Sequence, residues 1–332
     1  MRSSARLVGE VARPGAPLVK AYVLLLAVIL FWGANWPIMK VGLDYIPPLM
    51  FGAARMGIGA LVVFAILAAS GRLALPTKTD LRIVLSEGLL HMAAPIGLMN
   101  LALLHVEAGR SAILSFTTPL WIAPVAVLLL GERLSPLKLL GLLIGLSGVG
   151  TLFSPFGFDW SSPDNVVGNA LLMLAALTCA IAILVARTQG VVRTPLQLTP
   201  WQLLLSAIAL AIPARIYESV EDVQWSYELC LVMAFNGPIA SGFCFWAALV
   251  VSRELPSITA SMGFLGVPVA GVLFSSAFLS EALTPALVAG LVFIVGGIAL
   301  VNLGDAYAAR TSIGPLAAPL RRPRIEARPP SS

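Results

Sequence analysis

Apolar residues in this chain do not alternate with polar ones. They run together in long stretches, interrupted by short clusters of Gly, Pro and charge. A bilayer core about 30 Å thick needs roughly 20 apolar residues per helix. Ten such runs are present, at 20–42, 48–70, 84–105, 109–130, 136–154, 166–187, 199–217, 228–251, 256–280 and 284–303. Continuous runs predict helices, because barrel strands alternate apolar and polar positions over about ten residues. The predicted fold is therefore all-α integral membrane, with ten transmembrane helices and short connections.

Composition strengthens this. Of 332 residues, 58% are hydrophobic and 11% charged, whereas a soluble domain carries roughly 45–50% apolar and about 25% charged residues. Too little polar surface remains to face water. The three cysteines (Cys179, Cys230 and Cys244) offer no paired spacing, and two histidines cannot build a histidine-rich metal site. No cofactor and no metal is expected.

Charge sets the expected orientation. With a cytoplasmic N-terminus, 17 of the 21 Lys and Arg residues fall inside; Lys40, Arg110 and Arg215 fall outside, and Arg55 lies within a span. Both termini are thus expected in the cytoplasm, and the net charge of +5 reads as attraction to anionic lipid rather than to nucleic acid. Residues 1–19 form a basic cytoplasmic segment with no small-residue cleavage site behind it. Residues 304–332, rich in Pro, Ala and Arg, are expected to form a disordered tail.

The chain repeats itself. Pro119, Glu132, Leu134, Pro136, Gly141, Leu142 and Gly148 recur as Pro268, Glu281, Leu283, Pro285, Gly290, Leu291 and Gly297, each pair 149 positions apart. Chance accounts poorly for one constant spacing through residues this scarce. Two five-helix units follow, 20–154 and 166–303. An odd number of crossings inverts the second unit relative to the first, an arrangement that places a binding site near the midplane where the units meet.

Ten spans, a five-plus-five repeat and the Pro-x₁₂-Glu-x-Leu stretch ending spans 4 and 9 resemble the drug/metabolite transporter superfamily, EamA type. Residues Phe31-Trp32-Gly33-Ala34-Asn35-Trp36 in span 1 and Arg55 in span 2 are similar to that family's pattern as well. The resemblance covers roughly residues 20–303. It implies export or exchange of small metabolites, often amino acids, by a multi-pass protein of a bacterial inner membrane. It also implies a central cavity lined by spans 1, 3, 4, 6, 8 and 9, with spans 5 and 10 peripheral.

Polar groups inside a bilayer are costly, so each marks a partner or a cavity. In span 1, Trp32, Asn35, Trp36 and Met39 share a helical face. An amide between flat indole walls suits a zwitterion with an apolar side chain; belt tryptophans and an inter-helix asparagine bond are the plainer alternative. In span 3, His91, Pro95 and Met99 lie near one face, and His91 is the side chain placed to change protonation near neutral pH, unless the bundle simply satisfies it. Ser111, Ser115 and Thr118 lead to Pro119 in span 4, with Trp121 and Pro124 beyond; hydroxyls bonding back to their own helix are the competing reading. Thr178 joins the set from span 6. Span 8 holds Asn236-Gly237-Pro238 and then Ser241, Phe243, Cys244, Phe245 and Trp246, where Gly and Pro weaken the helix and free backbone groups for a ligand. Met262 and Phe264 add wall from span 9. Pro268 is expected to act as a hinge, like Pro119, Gly237 and Pro238.

Arg55, about 12 Å along span 2 at 1.5 Å per residue, has no obvious carboxylate in the sequence. It is expected to serve structure, snorkelling or holding carbonyls at a broken helix. The sets Gly141/Gly145/Gly148 and Gly290/Gly296/Gly297 predict close helix packing.

Absences narrow the class. Glu87 and Glu107 read as lying near span ends, which leaves no central carboxylate for a proton-coupled exporter of cationic drugs. No group of Lys and Arg serves a sugar phosphate, and no Walker pattern serves ATP. The expectation is a carrier of amino acids, aromatic or apolar ones favoured, and not an enzyme; no nucleophile or zinc motif occurs. Its partners are a small-molecule substrate and the lipid bilayer. The sequence leaves oligomeric state open, and a monomer is compatible with it. A carrier of hydrophobic cations is the alternative, and a receptor or scaffold that does not transport is the rival of another class.

Overall fold

The computed structural model describes residues 16–130, 135–153, 160–189 and 192–312. Among these the chain is helical throughout, with no strand. In chain order the helices are α1 (Ala16–Gly42), α2 (Pro48–Ala69), α3 (Asp80–Leu103), α4 (Ala108–Ser115), α5 (Thr118–Leu130), α6 (Pro136–Leu152), α7 (Pro163–Arg187), α8 (Pro195–Tyr217), α9 (Tyr227–Glu254), α10 (Ser257–Phe264), α11 (Gly266–Leu279) and α12 (Pro285–Ser312). Eight stretches are long and apolar enough to cross a membrane; Pro136–Leu152 is shorter, and α4 and α5 are two pieces of one apolar run.

Local sequence explains several starts. Ser135-Pro136, Ser162-Pro163 and Thr194-Pro195 each put a hydroxyl at the N-cap, where it accepts from the backbone N–H three residues on, and proline at the first helical position, where no N–H is needed. Thr284-Pro285 repeats the device, with the Leu287 N–H donating to Thr284 Oγ1 at 3.2 Å. Thr194 and Gln197 complete a reciprocal capping box.

Inside the helices, the breaks come in matched pairs. Glu87–Ala93 within α3 and Phe235–Phe243 within α9 are π-helical. Moved along by 149 positions, residues 87–93 fall on 236–242. The gap between α4 and α5 at 116–117 falls likewise on 265–266, where Leu265 separates α10 from α11. Packing follows the same correspondence. Helix α1 packs on α11 and α9, while its counterpart α7 packs on α4, α5 and α3; α2 lies on α8 and the π segment of α9, while α8 lies on α2 and the π segment of α3.

The counterpart helices α6 and α12 run antiparallel. On α6 and α12, Gly141 faces Gly297 and Val301, Gly148 faces Ile294, and Gly304 faces Lys138. The approach is so close that a Cβ on Gly297 would lie 2.4 Å from the Gly145 nitrogen, as expected for small-residue helix packing. Gly296, grouped with this set in the sequence, has open space around it. The α6–α12 pair lies chiefly against itself, to one side of the bundle. Leu61, Ile66, Leu128, Ile212, Leu273 and Phe278 point outward, each more than half exposed, which suits a lipid-facing girdle.

Some boundaries differ from the hydropathy reading. Helix α3 begins at Asp80 rather than 84, because Asp80 is held there: its carboxylate accepts from the N–H groups of Thr77, Val192 and Arg193. The fourth and ninth runs are divided. Helix α12 continues to Ser312, nine residues into the segment expected as a disordered tail. Residues 1–15 and 313–332, Glu132 and Leu134 lie outside the described residues.

Candidate functional site

One end of the bundle is tied by charge. Lys40, at the end of α1, donates to the carbonyls of Leu103 and Val106, the latter at 3.2 Å. These carbonyls close α3, where a cation is favoured by the helix dipole. Glu281, just beyond α11, accepts from the N–H groups of Ala108 and Gly109 at 2.7 and 2.8 Å, the opening amides of α4, where an anion is favoured. Glu218 does the same for α2, accepting from Leu49 and Met50 at 2.7 Å each. Ser280, immediately before Glu281, takes a left-handed conformation with φ 57°. A non-glycine residue holds that geometry where its surroundings demand it. Burial and the nearby Glu281 carboxylate push the Glu107 carboxyl up from its ordinary value.

Beside these ties lies a polar cavity of about 270 Å³ lined by His105, Glu107, Arg110, Asn165, Asn169 and Thr284, among others. Arg110 donates from Nε to Asn169 at 2.8 Å and from Nη2 to the Leu152 carbonyl at 2.6 Å. None of the residues predicted for the site lines this cavity.

The predicted residues gather instead around mid-helix. Trp32 of α1 donates from its indole N–H to the Ala240 carbonyl at 3.0 Å, within the π segment of α9. In a regular α-helix the Ala240 carbonyl would be occupied by its own ladder; the π turn leaves it to Trp32. Around that bond stand the rings of Phe245 at 5.6 Å and Phe264 at 6.3 Å from Trp32, and Phe243 stands 5.7 Å from Trp246. Phe31 lies edge-on to both Phe235 and Phe243. Trp32, Phe243, Trp246 and Phe264 are half-buried.

Deeper in the same layer, Asn35 donates to the Met39 sulfur at 2.8 Å, and Arg55 Nη1 donates to that sulfur at 2.9 Å. Arg55 Nε donates to Ser241 Oγ at 3.2 Å. Asn236 donates to the Val232 carbonyl of its own helix at 3.0 Å. The carbonyl oxygens of Asn35 and Asn236 are buried without a partner. Gly237 is required here, since a Cβ would sit 2.4 Å from the Ile58 side chain of α2; Pro238 follows it inside the π segment.

Across the bundle the pattern is looser. His91 Nδ1 lies 2.6 Å from Glu87 Oε2, one turn back in the π segment of α3. Glu87 lies seven residues inside the 24-residue stretch Asp80–Leu103, about 10 Å along the axis. Helix α3 thus begins four residues earlier than the hydropathy run at 84. Thr178 and Thr118 bond back to the carbonyls of Ala175 and Ser115, and the Trp121 indole donates to Thr117 at 3.3 Å. Ser115 Oγ is buried without a partner. Pro95 is buried, whereas Met99 and Met262 are partly buried against one apolar cluster. Trp36 is 5% exposed, packed with Met39, Phe51 and Ala112. Pro119 opens α5 and Pro268 opens α11, at corresponding positions after the two breaks.

Arg55 has partners other than those expected, and further polar groups lie outside the predicted set. Arg55 neither reaches an interface nor holds a carbonyl among the described residues; it is 2% exposed. Met39 was noted only as a face neighbour, yet its sulfur joins Asn35 to Arg55. Asn100, buried and donating to the Pro48 carbonyl at 2.9 Å, and Lys40 were missed. Polar scarcity within an apolar run was the signal that would have found both.

Apolar helices of spanning length, with polar side chains buried among them, are those of a multi-pass membrane protein, and comparison with known proteins makes it one of the transporter class. The chain belongs to the EamA-like transporter family, which it matches over residues 19–154 and 166–303. It is 31% identical to the uncharacterized transporter YvbV of Bacillus subtilis (strain 168), over 90% of this chain and 96% of that protein. It is 29% identical to the uncharacterized transporter YoaV of the same organism, over 85% and 96%. A Streptantibioticus cattleyicolor protein described as "Probable terminal-alkyne amino-acid exporter" is 26% identical over 86% of this chain and 94% of its own. One solved crystal structure matches with a TM-score of 0.63 and 21% identity, covering 86% of this chain and 98% of that one; it supports the fold alone.

Proposed function

We propose that this transporter exports or exchanges amino acids, aromatic and apolar ones favoured, across a bacterial inner membrane by alternating access. In this reading it crosses ten times as two inverted five-helix repeats, with both termini in the cytoplasm and the Lys40 end outside. The single observation that carries it is the pairing of breaks, at Glu87–Ala93 with Phe235–Phe243 and at 116–117 with Leu265. Two halves hinged at equivalent points can exchange conformations and open one site to each side in turn. The ties made by Lys40, Glu281 and Glu218 make this conformation the one closed at the outer end. The similarity to an amino-acid exporter and the aromatic walls around Trp32 support the substrate class.

A second reading, a carrier of hydrophobic cations, gains support from Glu87, a carboxylate inside α3. Counterflow in proteoliposomes separates the two. Labelled Phe, Met or Thr is expected to enter vesicles preloaded with the same amino acid, and tetraphenylphosphonium is not. Movement of the cation with none of the amino acids replaces the first reading by the second.

A further inference from the structure

Arg55 is the one guanidinium within the described spans that is almost wholly buried, and its partners do not match its charge. It sits seven residues into α2 and is 2% exposed. Among the described residues it bonds only the Ser241 hydroxyl and the Met39 thioether. These take one proton each from Nε and Nη1. The second Nη1 proton and both Nη2 protons have no acceptor among the described residues, and the ion pairs formed there (His91–Glu87 and His105–Asp164) do not involve it. A buried cation without a counter-charge is expensive. A structural pin would gain more from a carboxylate or from carbonyls than from a sulfur.

Unmet acceptors stand in the same layer. Asn35 shares the Met39 sulfur with Arg55, and its Oδ1 is buried and unbonded; Asn236 Oδ1 is also buried and unbonded. Asn236 and Ser241 are five residues apart in the π segment of α9, and five residues is the hydrogen-bond step of a π turn, so the two project from the same side. The layer thus holds unused donors that carry positive charge beside unused neutral acceptors. Phe31, Phe235 and Phe243 flank it with ring edges.

We propose that the α1–α2–α9 layer is a zwitterion site, in which Arg55 and Ser241 receive a substrate carboxylate and the amide oxygens of Asn35 and Asn236 receive its ammonium. This rests on the amino-acid reading above and adds the residues that recognise the substrate's charged ends. A carboxylate would supply the missing counter-charge and a bidentate partner for Nη1 and Nη2. An ammonium brings three donors to oxygens that have none. The side chain is then left to the aromatic walls. In this conformation the layer is occluded, and it becomes reachable when α1 and α9 part.

The test uses the full-length protein in proteoliposomes, with labelled Phe in counterflow and unlabelled competitors. Phenylalaninamide and phenethylamine, which lack the carboxylate, are expected to compete at least about tenfold more weakly than Phe. 3-Phenylpropionate, which lacks the ammonium, is expected to be weakened as well. Arg55→Gln is expected to lower the apparent affinity for Phe by about tenfold or more while leaving phenethylamine unchanged. Asn236→Ala is expected to weaken Phe more than 3-phenylpropionate. If Phe moves but phenylalaninamide competes as well as Phe does, the carboxylate role of Arg55 is overturned while the amino-acid reading stands. If no amino acid moves at all, that reading falls and takes this proposal with it. The wild-type competitor series decides the matter even where Arg55→Gln fails to fold.

Discussion

Glu281 joins the end of α11 to the start of α4 through two charge-assisted hydrogen bonds, each worth about 1.5–3 kcal/mol. Replacing it with alanine leaves both amides without that partner and removes the anion from the α4 N-terminus. Ser275 lies on α11 beside Gly109, fully buried. A cysteine placed at 275 is expected to react with a maleimide several-fold faster in Glu281→Ala than with Glu281 intact. An unchanged rate would mean that the tie does not hold this end closed. At this scale the sequence was partly legible. Asn35, Asn236 and Ser241 stood out because polar residues are scarce in apolar runs, and all three are buried. Glu87 read as close to the start of its run, and α3 begins four residues before that run. Arg55 was expected to snorkel or hold carbonyls; its partners, Ser241 and Met39, could not be named because depth along a helix does not reveal which helix stands opposite.

Helix starts were readable where chemistry is local. Ser135, Ser162, Thr194 and Thr284, each followed by proline, announce their helices. The breaks were harder. Asn236-Gly237-Pro238 signals the π segment of α9, but Glu87–Ala93 contains no proline and reads as ordinary helix. The interruptions at 116–117 and at Leu265 fall inside runs that hydropathy reads as single spans. The 149-residue repeat was the stronger guide, since it assigned equivalent positions before any break was visible. The α6–α12 pair offers the test at this scale. Gly297→Ala would place a methyl 2.4 Å from the Gly145 nitrogen, which neither backbone can avoid without separation. A loss of about 1–3 kcal/mol is expected, read as a lower midpoint of thermal unfolding in detergent. Gly296→Ala, with open space around it, is expected to leave the midpoint unchanged. Equal effects at 296 and 297 would contradict the packing described.

Taken whole, the molecule joins two halves whose breaks correspond and whose counterpart helices α6 and α12 run antiparallel. The half-buried aromatic group around Trp32 lies between them, with the Lys40 end tied shut. Alternating access, as proposed above, requires the two ends of the bundle to open in opposition. Spin labels at Leu104 and Leu283 report the Lys40 end, and labels at Arg82 and Glu254 report the other. All four positions are exposed, and Cys230→Ser removes the exposed native thiol. Pulsed electron–electron distance measurement on each pair, in bilayers with and without saturating Phe, is the most direct test. The account predicts that Phe shifts the two distance distributions in opposite directions, one end widening as the other narrows. Distances that stay fixed, or that widen together at both ends, would contradict it.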